Sequence, residues 1–158
     1  MSDVPPPGDA GATRNPELET RSGVEVAAGL IFREGKLLIA QRHAEAHLGG
    51  LWEFPGGKRE AGESYEQCLQ RELQEELGVT VVVGELFETV DHAYPEKAVH
   101  LRFFLCQLAA GEPQAHGCAA VRWVGRTELE QFEFPAADAG VLTKLLQSER
   151  FWHWPDSG

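Results

Sequence analysis

Apolar positions alternate with polar ones, or run together briefly, over residues Val24–Phe32, Lys36–Arg42, Val79–Tyr94, Ala98–Leu108 and Ala120–Val124. Each stretch predicts a β-strand, the third interrupted at Gly84. Two segments follow the helical period instead. Ser64–Leu77 opens on Ser64 and Gln67, spaced as in a capping box, and stops at Gly78, which suits a left-handed C-terminal cap. Ala136–Ser148 follows Pro135 and repeats apolar residues at Val141, Leu142, Leu145 and Leu146. Hairpin signals join several strands and few helices are available to cover them, so the predicted architecture is a mixed sheet layered with helices. Residues 1–22 carry Pro, Gly and charge without apolar periodicity, and are expected not to pack. Residues 23–150 then form one domain. The remaining 151–158 are an aromatic tail (Phe151-Trp152-His153-Trp154-Pro155) that either straps onto its own domain or meets another subunit.

Composition narrows the classes. With 158 residues and 42% apolar content the chain has room for one sizeable core. No apolar run approaches the roughly 20 residues of a membrane span, and the first residues are acidic and proline-rich. A soluble, cytoplasmic protein, monomeric or homodimeric, is expected. Cys68, Cys106 and Cys118 form no C-x-x-C pair and no Cys/His metal spacing, so they read as reduced structural thiols. A net charge of −11 without a basic stripe repels nucleic-acid polymers. Any phosphorylated substrate is expected to be small and to arrive with cations.

The chemistry is concentrated in residues 57–79, GKREAGESYEQCLQRELQEELGV. On a helix Glu72, Glu75 and Glu76 fall on neighbouring turns within an arc of about 100°. Leu69, Leu73 and Leu77 form the apolar stripe, and Glu72 and Glu76 lie beside it rather than opposite. Carboxylates at that edge reach a half-buried cleft, where their mutual repulsion is relieved by a hard cation such as Mg²⁺ or Mn²⁺. Three glutamates alone would equally make a solvated acidic face. The complete spacing decides between the two: Gly57, five residues, Glu63, seven residues, Arg71-Glu72-Leu73, one residue, Glu75-Glu76, one residue, Gly78-Val79. Gly56 and Gly57 let backbone approach a metal or phosphate closely, and Arg71 can clamp a helix carboxylate.

This spacing resembles the signature of the Nudix hydrolases at every specified position, and the resemblance extends over about residues 24–146, most closely to the MutT type. It implies an α/β/α sandwich with a mixed sheet around a loop-helix-loop. It also implies metal-dependent hydrolysis of a nucleoside triphosphate to the monophosphate and pyrophosphate, with oxidised dGTP, dGTP, CTP, dCTP or methylated dCTP as candidate substrates. The implied catalytic residues are Arg71, Glu72, Glu75 and Glu76, and the implied metal ligands Gly56, Glu72, Glu75 and Glu76. Arg42, His47, Phe54, Lys58, Lys97 and Asp138 fall where the MutT type contacts substrate. Three of these have structural alternatives: Arg42 as a surface charge, Phe54 as core, and Asp138 as a helix cap. Two departures stand out. Asp138 occupies the place of an asparagine, and Gly117 that of a glutamate six residues before Trp123, so the helix glutamates suffice or His116 or another loop carboxylate takes part. A nucleoside diphosphate derivative such as ADP-ribose is an alternative substrate, and Pro95, sixteen residues past Val79, decides little because both that specificity and the MutT type carry proline there. Two further alternatives are a silent base-binding module and an RNA-end decapping or tRNA-linked role, the last opposed by the lack of a basic surface.

Overall fold

The computed structural model describes residues 23–152. Seven strands, β1 (Gly23–Arg33), β2 (Lys36–Gln41), β3 (Trp52–Glu53), β4 (Gly56–Lys58), β5 (Thr80–Ala93), β6 (Ala98–Ala110) and β7 (Ala120–Val124), form one mixed sheet. Helix α1 spans Tyr65–Leu77, α2 Arg126–Leu129, α3 Ala139–Gln147 and α4 Glu149–Trp152. The order is β3-β2-β1-β6-β5, with β4 paired to β1 and β7 to β2. Strand β1 runs parallel to β6 from Gly23↔Ala98 to Ile31↔Cys106.

The other edge of β1 changes partner along its length. Its first half pairs with β4 (Val26↔Lys58 to Ala28↔Gly56) and its end with β2 (Phe32↔Leu37). Between them, the Gly29 N–H donates to the Pro55 carbonyl at 2.7 Å. The changeover brings the residues after β2 beside those of β4, and the cleft described below lies there.

The alternation of β1 sorts its side chains onto two faces. Ala28, Leu30 and Phe32 join Leu37, Ile39, Phe103, Val141, Leu145 and Trp152 in one buried cluster. Ala27 and Ile31 join Leu69, Leu73, Leu77, Phe104 and Cys106 under α1 in the other. Three layers result, with helices on both faces of the sheet. Helix α1 has the expected ends: the Gln67 N–H donates to Ser64 Oγ at 3.0 Å, the Ser64 N–H to Gln67 Oε1 at 2.9 Å, and Gly78 takes φ 74°. The register shift in β5 between Val83 and Leu86 accounts for the interruption expected at Gly84.

Several boundaries differ from the sequence expectation. The strand expected to reach Arg42 stops at Gln41, because the Arg42 N–H turns to the Leu51 carbonyl at 2.9 Å. The helix expected from Ala136 opens as a 3₁₀ turn, Ala136–Asp138, and becomes α-helical at Ala139. Strands β3 and β4, two and three residues long, were not expected, being too short to carry a period. At the C-terminal side a helical turn continues through Trp152, which packs edge-on against Phe32 at 5.2 Å and donates from its indole to the Leu145 carbonyl at 2.9 Å. The expected N-terminal tail, residues 1–22, and the tail beyond Trp152 lie outside the described residues. Cys68, Cys106 and Cys118 are free and buried, their thiols pushed up by burial to about 11, 12 and 11. Among the described residues no helix is long and apolar enough to cross a membrane.

Candidate active site

One cavity of about 660 Å³ collects most of the residues singled out from the sequence. Its walls include Arg42, His47, Phe54, Gly56, Gly57, Lys58, Glu72, Glu76, Lys97 and Asp138. Val24, Val26, Val99 and Leu101 add an aliphatic wall from the pocket-facing positions of β1 and β6. Such a lining, largely apolar with a few charged groups, suits a small molecule.

The acidic side of this cavity is set by α1. Arg71 holds Glu63 with two hydrogen bonds, from Nε at 2.6 Å and Nη2 at 3.0 Å. Its Nη1 donates to Glu72 at 3.0 Å and to Glu75 at 3.3 Å, while Nη2 also reaches the Lys58 carbonyl at 3.1 Å. A planar guanidinium can serve that many acceptors at once, and a lysine ammonium cannot match the fork. These bonds hold the Glu63 carboxyl down at about 2. The clamp anticipated from sequence is therefore real, and it ties the loop before α1 to the helix.

The three helix glutamates are not equivalent. Glu75 is 62% exposed, bonds Arg71, and does not line the cavity, so the expected trio does not converge as a trio. The reason lies in the sheet: α1 turns its Glu72 and Glu76 edge toward β4, leaving Glu75 outward. Among the described residues no three acidic, histidine or cysteine side chains meet at metal-binding distances. Glu76 nevertheless has an unfilled oxygen. Its Oε1 is buried without a hydrogen-bond partner, an arrangement that costs roughly 1–3 kcal/mol unless a cation or proton occupies it. Burial, with Glu53 and Glu72 nearby, pushes the Glu76 carboxyl up to about 8. Gly57 completes the cradle, since a Cβ there would lie 2.2 Å from Glu72 Cδ. A Cβ on Gly56 would lie 1.9 Å from the Ala27 carbonyl oxygen. Hard oxygen ligands, a buried orphan oxygen and a glycine floor fit a divalent cation.

Glu53 was not anticipated from sequence. It lines the same cavity, accepts from Arg42 Nη1 at 2.7 Å, and is raised by burial against the opposing pull of Arg42. Its charge acts on both Glu76 and Asp138, so it stands between the helix carboxylates and the far wall. The only available signal was its place between Trp52 and Phe54. Arg42 is held in turn by the His47 carbonyl, to which Nε donates at 2.6 Å. The alternative reading of Arg42 as a free surface charge is thereby set aside.

Other expectations resolve individually. Phe54 is both core and wall: 4% exposed, it packs against Phe103 at 5.8 Å and Phe134 at 5.0 Å, yet borders the cavity. Asp138 stands at the N-cap of α3 but makes no side-chain cap hydrogen bond, which removes the capping alternative. It is 7% exposed, and burial with the Glu53 charge raises its carboxyl to about 7. His116 points elsewhere, its Nε2 3.3 Å from Gln114 Oε1 and its ring beside Gly78, so it does not take the place of the missing loop glutamate. At Gly117 a Cβ would come within 3.3 Å of Glu76 Cγ.

A buried unpartnered carboxylate oxygen, a guanidinium-bound set of carboxylates and an adjoining apolar cavity together suit a small phosphorylated molecule bound with a cation. The chain belongs to the NUDIX domain family, whose model matches residues 27–144. It is thus a Nudix hydrolase, a group that generally needs a divalent metal. The Escherichia coli CTP pyrophosphohydrolase is 40% identical over 123 residues, covering 78% of this chain and 91% of that one. The E. coli 8-oxo-dGTP diphosphatase is 37% identical over 123 residues, covering 77% and 95%. Among solved structures, the E. coli ORF135 protein superposes with a TM-score of 0.70 at 37% identity, covering 84% of this chain and 96% of that one.

Proposed function

We propose that the protein hydrolyses a nucleoside triphosphate to the monophosphate and pyrophosphate with Mg²⁺, Mn²⁺ being a substitute, and that Asp138 selects bases carrying an exocyclic amine. The observation that carries this reading is the joint lining of one cavity by the α1 carboxylates and by Asp138, with Phe54 and Arg42 also on its wall. Relatives named as CTP pyrophosphohydrolase and 8-oxo-dGTP diphosphatase support the triphosphate class.

In this reading Glu72, Glu76 and the Gly56 carbonyl would hold the cation, with Glu75 at the outer edge of the set. A bound divalent cation supplies charge neutralisation of phosphate oxygens and a water of lowered pKa. Arg71 fixes the carboxylates and does not touch substrate. Among the carboxylates bordering the cavity, Glu53, Glu72 and Glu76 would be placed to accept a proton from the attacking water. Arg42, with Nε and one Nη1 hydrogen engaged, keeps further N–H groups for a phosphate, and Lys58 and Lys97 add charge at the cavity wall. Phe54 and the aliphatic wall bury the base.

The test is turnover of dCTP, dUTP, dGTP, oxidised dGTP and ADP-ribose, with pyrophosphate and orthophosphate distinguished as products. Pyrophosphate from at least one amine-bearing triphosphate, abolished by EDTA and restored by Mg²⁺, is expected. Orthophosphate as product, or activity in excess chelator, overturns the proposal.

A further inference from the structure

Tyr94 has no assigned role, yet its ring and backbone meet separate chain segments at the edge of the cavity. It follows β5 directly and lines the cavity together with His47, Ala137 and Asp138. Its ring stands edge-on to His47 at 5.6 Å and tilted against His92 at 4.5 Å. Its backbone closes the β5–β6 turn, the Tyr94 N–H donating to the Lys97 carbonyl at 2.8 Å and the Lys97 N–H returning to Tyr94 O at 3.3 Å. Strand β5 packs against the 3₁₀ turn Ala136–Asp138, and the Ala137 backbone N–H donates to the Tyr94 hydroxyl oxygen.

Three chain segments without long hydrogen-bonded ladders therefore meet on one side chain. The first is the loop that carries His47, where Leu48 adopts φ 56°. The second is the β5–β6 turn itself. The third is the turn that presents Asp138, whose carboxyl makes no cap bond to α3. The start of α3 does not hold that carboxyl through a cap bond, so the backbone immediately before it takes part in setting its direction. We propose that Tyr94 is a positioning residue for base selection: its hydroxyl fixes the Ala137-Asp138 backbone, and its ring fixes the His47 loop over the cavity. This rests on the reading of Asp138 as the base-selecting group. The two halves of the side chain then have separable consequences. Loss of the hydroxyl blurs discrimination between bases, and loss of the ring weakens every substrate alike.

The experiment compares kcat and KM for dCTP and dUTP in wild type, Tyr94→Phe, Tyr94→Ala, Asp138→Asn and the Tyr94→Phe/Asp138→Asn double variant, with melting temperatures measured in parallel. A single hydrogen bond governs the Phe variant, so its dCTP:dUTP ratio of kcat/KM is expected to fall about three- to tenfold, with melting temperature held. The double variant should show no loss of discrimination beyond Asp138→Asn, the signature of action through Asp138. The Ala variant should raise KM for both nucleotides by a similar factor with kcat less affected, and Phe should rescue that increase. An unchanged ratio in Tyr94→Phe, or independent losses in the double variant, overturns the proposal. If instead Asp138→Asn leaves the wild-type ratio unaltered, the base-selecting role of Asp138 fails and this inference fails with it.

Discussion

Replacing Asp138 with asparagine should alter how stability depends on pH, and the sign follows from burial. The folded carboxyl is raised from 3.8 to about 7, first by desolvation and then by the Glu53 charge. Below pH 4 folded and unfolded chains both keep the proton. Between about 4 and 7 the unfolded chain loses it and the folded chain does not, so wild-type stability falls as pH rises. A tenfold difference in proton affinity between the folded and unfolded chains corresponds to about 1.4 kcal/mol, giving roughly 4 kcal/mol across the window as an order of magnitude. Above pH 7 the penalty is complete and constant. Asparagine fills a similar volume and never ionises. Urea unfolding in EDTA buffers from pH 4 to 9 is expected to show Asp138→Asn gaining on wild type between pH 4 and 7, then running parallel. The high Glu76 carboxyl is common to both proteins and cancels in the difference. A difference independent of pH, or one favouring wild type as pH rises, would refute the burial argument. The activity counterpart has a sign too. A neutral acid can donate to the O4 of uracil whereas a carboxylate cannot, so the dCTP:dUTP preference should rise as pH passes 7.

Two further predictions concern the cradle. Glu76→Gln should lower kcat by about a hundredfold or more, since an amide ligates a hard cation poorly. Its melting temperature in EDTA should not fall, because the substitution also removes repulsion toward Glu53 and Glu72. Gly57→Ala places a Cβ 2.2 Å from Glu72 Cδ and should displace that carboxylate, lowering kcat at least tenfold. Circular dichroism should show the fold retained, and wild-type kcat would mean that Glu72 does not need the space.

The parts of this structure that were legible in the sequence are those fixed locally. Ser64, Gln67 and Gly78 satisfy the ends of α1 within a few residues of themselves, and the alternation in β1 predicts both of its faces. What was not legible depends on partners distant along the chain. Strands β3 and β4 exist because β2 and β1 pair with them, and no period can be read from two or three residues. Helix geometry places Glu72, Glu75 and Glu76 on one arc, but only the packing of α1 on the sheet decides that Glu75 faces outward. Glu53 acquires its place from a strand pairing that brings it beside Arg42. The protonation of Asp138 is set by burial, which residue type does not reveal.

The same arrangement explains how a strongly acidic chain can receive a polyphosphate. Arg71 binds Glu63, Glu72 and Glu75, and Arg42 binds Glu53, so each of these carboxylates has a guanidinium partner, although two positive charges face four negative ones. Glu76 is the exception, buried and with one oxygen unpartnered. The acidic side of the cavity therefore keeps a net negative charge, so a polyphosphate needs accompanying cations there, and the unpartnered Glu76 oxygen offers a place for one. The arginines have a second effect. With Glu72 held by Arg71 and Glu53 by Arg42, little reorganisation of these two side chains is needed when a substrate binds.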